Sequence, residues 1–81
     1  MKLKLHLNIK DKGRIFFEGE VSAVSTYNDI GIFDVLPMHE NIISLIKNKI
    51  IIHNENEQKE LKIESGLLKA NNGKVNIYLG I

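Results

Sequence analysis

Leu3-Lys4-Leu5-His6-Leu7-Asn8-Ile9-Lys10, followed by Asp11-Lys12-Gly13, decides the fold. Four aliphatic residues alternate with four polar ones, a period of two that only a half-buried strand satisfies. Gly13 then supplies the positive φ a tight turn needs. Working outward, Ile15-Phe16-Phe17 leads to a second punctuation at Glu18-Gly19-Glu20, and Val21, Val24 and Tyr27 outline a short strand up to a turn at Asn28-Asp29. Ile30 to Leu36 is apolar apart from Gly31 and Asp34. Pro37, which lacks a backbone donor, belongs at a strand end or edge. Asn41 to Ile46 fits one helical face as well as it fits a strand. Ile50-Ile51-Ile52 reads as a short β-branched strand. Asn54 to Gln58 reads as a hairpin tip, Ser65-Gly66 as a turn and Asn71-Asn72-Gly73 as an Asn-Gly hairpin before Val75, Ile77 and Leu79.

Turns recurring every ~8–12 residues are the mark of a sandwich or barrel. The expectation is all-β, a sandwich or barrel of short strands in a single domain over residues 1–81. Alternate strand residues would supply the interior: Leu5, Leu7, Ile9, Val21, Val24, Val35, Ile51, Ile63, Leu68, Val75 and Ile77.

Composition removes several functions. The chain has 81 residues, 43% hydrophobic and 26% charged, which places it among small globular domains. Eleven Lys+Arg against ten Asp+Glu leave a net charge of +1, without the basic excess of a nucleic-acid binder. The absence of cysteine excludes disulfides, thiolate metal sites and a cysteine nucleophile. No apolar run approaches the ~20 residues that cross a bilayer, and Met1-Lys2-Leu3-Lys4 is not followed by a signal-like core, so a soluble cytoplasmic domain is expected.

Catalytic chemistry finds little support. His6, His39 and His53 fall in separate elements and are read as solvated, not as metal ligands. Ser44, His39 and Asp34 supply the residue types of a triad without a nucleophile elbow or oxyanion loop around them. Glu18/Glu20 and Glu55/Glu57 read as solvated turns before acid–base pairs. The glycines form no phosphate cradle, and the aromatics do not interleave with lysines as a stacking platform would. What remains is a non-catalytic interaction domain with no cofactor.

A more specific signal lies in Phe17-x-Gly19-x-Val21-x-x-Val24, followed by Gly31-Ile32-Phe33-Asp34-Val35-Leu36-Pro37-Met38-His39. With Ile50-Ile51-Ile52, Ser65-Gly66-Leu67-Leu68 and Gly73-Lys74-Val75-Asn76-Ile77 in order behind it, this pattern resembles the amino-terminal sandwich domain of the epsilon subunit of bacterial F-type ATP synthases. Three positions depart from that family: Ile32 replaces a usual acidic residue, Asp34 a glycine, and Asn41 a proline.

The resemblance implies a flattened sandwich of about ten short strands and turns the Asn41–Ile46 stretch into strand. It implies a central-stalk subunit that binds gamma and the membrane rotor ring, on the cytoplasmic face of the bacterial plasma membrane, without direct membrane insertion. Alone, the chain is expected to be a monomer. The family's carboxy-terminal helical hairpin, which brakes ATP hydrolysis, is not part of this sequence, so coupling without that brake is expected. Partner contacts would fall on Gly31, Ile32, Phe33, Asp34, Met38 and His39. For His39 the competing role is closing its loop by a backbone hydrogen bond, and for Met38 it is core filling. Of Ile32 and Phe33, one is expected in the core. Asp34 would be hydrogen-bonded to loop amides if buried; if exposed, it would offer a carboxylate to basic loops of the ring. The rival classes are a free-standing small β-barrel that binds peptide or nucleic acid, and a small enzyme or ligand-binding domain with a deep pocket.

Overall fold

In the computed structural model, residues 3–80 are described; Met1, Lys2 and Ile81 lie outside the described residues. The alternation at residues 3–10 forms β1 (Leu5–Asp11), which turns into β2 (Arg14–Val21). Lys12 (φ 52°) and Gly13 (φ 83°) make the two-residue connection, both left-handed as a type I′ hairpin requires. Then follow β3 (Ala23–Tyr27), β4 (Ile32–Val35), β5 (Ile42–His53), β6 (Gln58–Asn71) and β7 (Lys74–Leu79). Asn72 (φ 52°) and Gly73 (φ 77°) repeat the same turn geometry between β6 and β7.

One hydrogen-bonded sheet runs β2-β1-β7-β6-β5-β3-β4. All neighbours are antiparallel except β1 and β7, which run parallel. The sheet folds over itself because β5 and β6 bend together. Lys47 pairs with Ser65 and Asn48 with Ile63, leaving Glu64 as an extra residue in β6, and Asn48 takes a left-handed φ of 73°. Such a bulge bends the strand and reverses which face its side chains meet. Leu61 and Ile63 therefore face the core before the bulge, and Leu68 and Ala70 after it. The first halves of β5 and the second of β6 join β7, β1 and β2 in one layer. The remaining halves join β3 and β4 in the other.

Seven strands, not ten, make up the described residues, because β5 and β6 each run through both layers. Two expected punctuations are also interior to strands. Glu18-Gly19-Glu20 continues β2, and Ser65-Gly66 continues β6. Gly66 is there for space: a Cβ would come 2.8 Å from Leu79 Cδ2 and 3.0 Å from the Tyr78 carbonyl oxygen. The ambiguous 41–46 stretch is strand, as β5 starts at Ile42.

One core unites the layers. Leu5, Leu7, Ile9, Val21, Leu68, Val75 and Ile77 come from the first, and Val24 and Val35 from the second, all with no exposed surface. Burying an aliphatic side chain of this size contributes about 1.5–3 kcal/mol. Ile63 packs only partly buried against this core, and Ile51 is buried outside the cluster, on the other side of β5. Ile46, Ile50, Ile52, Ala70 and Leu79 complete it. Bending β5 costs ladder bonds, and Thr26 offsets one of them. Its buried hydroxyl donates to the Lys49 carbonyl oxygen at 2.8 Å, within the irregular stretch where the β3–β5 register slips.

Candidate interaction surface on strand β4 and the outer faces

The residues expected to meet a partner do not form one loop. Gly31 ends the β3–β4 turn, Ile32, Phe33 and Asp34 are strand β4, and Met38 and His39 lie in the connection beyond it. Strand alternation then sorts them. Phe33 packs against the core, while Ile32 and Asp34 point outward and are exposed. Met38 is 84% exposed, so it fills no core. His39 closes its own loop: its backbone N–H reaches the Leu36 and Pro37 carbonyls at 3.1 and 3.0 Å, and Nδ1 donates to the Glu40 carbonyl at 2.7 Å. Nε2, on the other side of the ring, is buried with no hydrogen-bonding partner.

Asp34 bonds to a neighbouring strand, not to loop amides. Ser25 lies directly opposite it in the β3–β4 register, and the Ser25 hydroxyl donates to Asp34 Oδ1. Ser25 Oγ also lies 2.8 Å from His53 Nε2. A hydroxyl has one proton to give, so the second bond runs from the histidine N–H to Oγ. A 4%-exposed serine thus ties β4, β3 and β5 together on their outer face. The order differs from a nucleophilic triad, in which histidine stands between serine and carboxylate to take the proton. The residues named for such a triad, Ser44 and His39, bond instead to the carbonyls of Leu45 and Glu40.

The β3–β4 turn is fastened from three directions. Asn28 Oδ1 accepts the N–H groups of Ile30 (2.8 Å) and Gly31 (3.1 Å), and Asn28 N–H donates to the Gly31 carbonyl at 3.0 Å. Lys47 Nζ reaches Asp29 Oδ1 at 3.1 Å. Ile30 stands at this turn with 96% of its surface exposed.

The outer face of the first layer has two halves. Register aligns Leu45, Leu67 and Tyr78 across β5, β6 and β7, with exposed Ile43 beside them. On β1 and β2 the face is ionic: His6 Nδ1 lies 2.8 Å from Glu20 Oε2, and Nε2 lies 3.1 Å from Glu18 Oε2. The His6 imidazolium is held above its ordinary pKa, first by the hydrogen bond to Glu20 and then by that to Glu18. These glutamates were expected in a solvated turn and His6 alone in solvent. They meet because Phe16 is an extra residue opposite Ile9 and Lys10, which brings Glu20 opposite His6. Among the described residues no three His, Asp or Glu side chains could hold a metal ion. A groove of about 770 Å³ beside Phe16, Leu61, Ile63 and Leu79 is open to solvent and distant in sequence from the β4 residues. No helix of the structure is long and apolar enough to cross a membrane.

The fold is a two-layer β-sandwich whose first layer carries an apolar patch and an ionic patch on its outer face. Residues 4–79 match the family model for the ATP synthase, Delta/Epsilon chain, beta-sandwich domain, and the chain belongs to that family. It is 40% identical over 74 residues to the ATP synthase epsilon chain of Campylobacter curvus (strain 525.92), and 38% identical over 74 residues to that of Campylobacter concisus (strain 13826). Each alignment covers 89% of this chain and 57% of the relative, so the chain spans little more than half their length. Solved structures share the fold. A chain of the Euglena gracilis mitochondrial ATP synthase (OSCP/F1/c-ring in rotational state 1) superposes with a TM-score of 0.88 at 18% identity, covering 98% of this chain and 52% of that one. One from the Tetrahymena thermophila mitochondrial ATP synthase (central stalk/cring) gives 0.80 at 8% identity, covering 99% and 66%.

Proposed function

We propose that this domain is the sandwich of a non-catalytic central-stalk subunit in a proton-translocating F-type ATP synthase. It binds the gamma subunit and the membrane rotor ring, so that proton flow is coupled to ATP synthesis. Its place is the cytoplasmic face of the bacterial plasma membrane, held there by the complex and not by insertion. By itself it is a monomer.

The observation that carries this reading is the apolar half of the first layer's outer face. Ile43 and Leu45 are 71% and 72% exposed, and Leu67 and Tyr78 extend the patch across two further strands. Contiguous exposed apolar surface of this kind belongs against a protein partner. Gamma is assigned to it because the family is the Delta/Epsilon sandwich of ATP synthases and the curated relatives are ATP synthase epsilon chains. The side that faces the ring is assigned to Gly31 in the turn, the outward residues Ile32 and Asp34 of β4, and Met38 and His39 beyond it, while Phe33 packs inward behind them.

The test is co-expression with the gamma subunit of the same organism, followed by size-exclusion chromatography with light scattering. A stable one-to-one complex supports the assignment. Separate elution from gamma, and again from the assembled catalytic head, would return the chain to the class of free-standing binding modules.

A further inference from the structure

We propose that Ile30, with Ile32 beside it, is a rigid apolar plug that seats in an apolar pocket on the protein partner of the β3–β4 turn. This rests on the reading above, in which that partner is the rotor ring.

Three observations converge on it. Ile30 exposes 96% of its surface, an arrangement that leaves its side chain without contacts inside the domain. The turn that carries it is nevertheless fixed, by two hydrogen bonds to Asn28 Oδ1, the Asn28–Gly31 backbone bond and the Lys47–Asp29 ion pair. A turn fixed in advance loses little freedom on binding, so the gain from burying its apolar tip is not spent on ordering it. The third observation is charge. The only ionic group of the turn, Asp29, is paired with Lys47, while Asp34, further along on β4, accepts the Ser25 hydroxyl and keeps its charge. Within the turn itself no charge is left without a counter-charge, and the complement of two exposed isoleucines is an apolar hollow. A lipid surface fits less well: Lys47, the cation at this turn, is tied to Asp29, leaving it no free positive charge for anionic headgroups.

The test uses the ATP synthase complex of the same organism, purified without this subunit, to which the full chain is added back. Binding is measured across a low-to-high salt series for the wild-type chain, Ile30→Ser, Ile30→Asp and Asp34→Asn. The side chain of Ile30 touches nothing within the domain, so both Ile30 variants should fold, with unchanged melting as the control. Expected are wild-type binding that hardly weakens with salt, a loss of about tenfold or more for Ile30→Asp, a smaller loss for Ile30→Ser, and no change for Asp34→Asn. Wild-type binding with no effect at Ile30, or binding that falls steeply with salt and with Asp34→Asn, overturns the plug while leaving the stalk assignment standing. Failure of the wild-type chain to join the complex removes the assignment and the plug with it. Co-sedimentation of the chain with phosphatidylcholine–phosphatidylglycerol vesicles, lost in Ile30→Asp, would show a lipid contact and also overturn the proposal.

Discussion

Ser25 and Asp34 face one another across β3 and β4 and share a hydrogen bond of 2.5 Å, with the buried hydroxyl as donor. The bond helps hold β4, a strand of only four residues at the edge of the sheet. Removing the donor in Ser25→Ala is expected to cost about 1 kcal/mol, since the exposed carboxylate recovers part of its loss from water. Urea unfolding should show a lower midpoint with an unchanged slope. In Asp34→Ala the same serine substitution should cost less, and a double-mutant cycle with equal costs would show that the two side chains do not interact.

His6 makes stability depend on pH in a defined direction. Its folded pKa is raised above 6.5 by Glu20 and Glu18, so the proton is bound more tightly in the folded state. The contribution is fully present below the unfolded value and is lost as pH rises through the higher folded value. An NMR titration should place the His6 midpoint above 6.5, with Glu20→Gln lowering it more than Glu18→Gln. A midpoint unmoved by either glutamine would contradict the arrangement.

Two glycines separate space from flexibility. A methyl at Gly66 would strike Leu79 and the Tyr78 backbone, and Gly66→Ala should destabilise by about 1–3 kcal/mol. At Gly19 the nearest atom to such a methyl is the Phe17 ring at 3.7 Å, ordinary contact distance. Gly19→Ala should be neutral or stabilise by up to about 1 kcal/mol. Thermal melting of both variants checks the contrast.

The core leaves little margin. Leu7 is fully buried between the layers, and Leu7→Ala is expected to cost about 2–5 kcal/mol. That is a large share of the ~5–15 kcal/mol typical of a folded domain. Loss of the cooperative unfolding transition near ambient temperature, followed by circular dichroism, is the expected outcome.

On the outer face the expectation reverses. Leu45→Asp removes an exposed apolar contact without touching the core, so melting should hardly change while co-elution with gamma is lost. Retained co-elution would move the gamma contact to another face.

Much of the fold was legible because its signals are local. The period of two in residues 3–10 and the left-handed turns at Lys12-Gly13 and Asn72-Gly73 need no knowledge of distant neighbours. The misread positions each depend on such neighbours. Gly66 looks like a turn residue in the sequence and is a strand residue because β7 packs against it. Glu18 and Glu20 could be matched to His6 only by knowing that Phe16 bulges out of the register. Of the candidate surface, the sequence marks β4 through Gly31 to Asp34 but passes over Ile30, whose significance is its exposure on a fixed turn. Ser25 and His53 were missed for a similar reason, since Asp34 meets them through pairing between three strands.

The parallel pairing of β1 with β7 governs the order in which this domain can assemble. A ribosome delivers β1 first of the seven strands and β7 last, yet these two lie side by side in the middle of the first layer. The hairpin of β1 and β2 therefore emerges with Leu5, Leu7 and Ile9 uncovered and waits for the strands up to β7 to be made. Contacts so distant in sequence carry a heavy loop-closure cost before they return any stabilisation, which slows folding. Closure of the sandwich thus waits for β7, and until then the apolar face of the first hairpin stays uncovered.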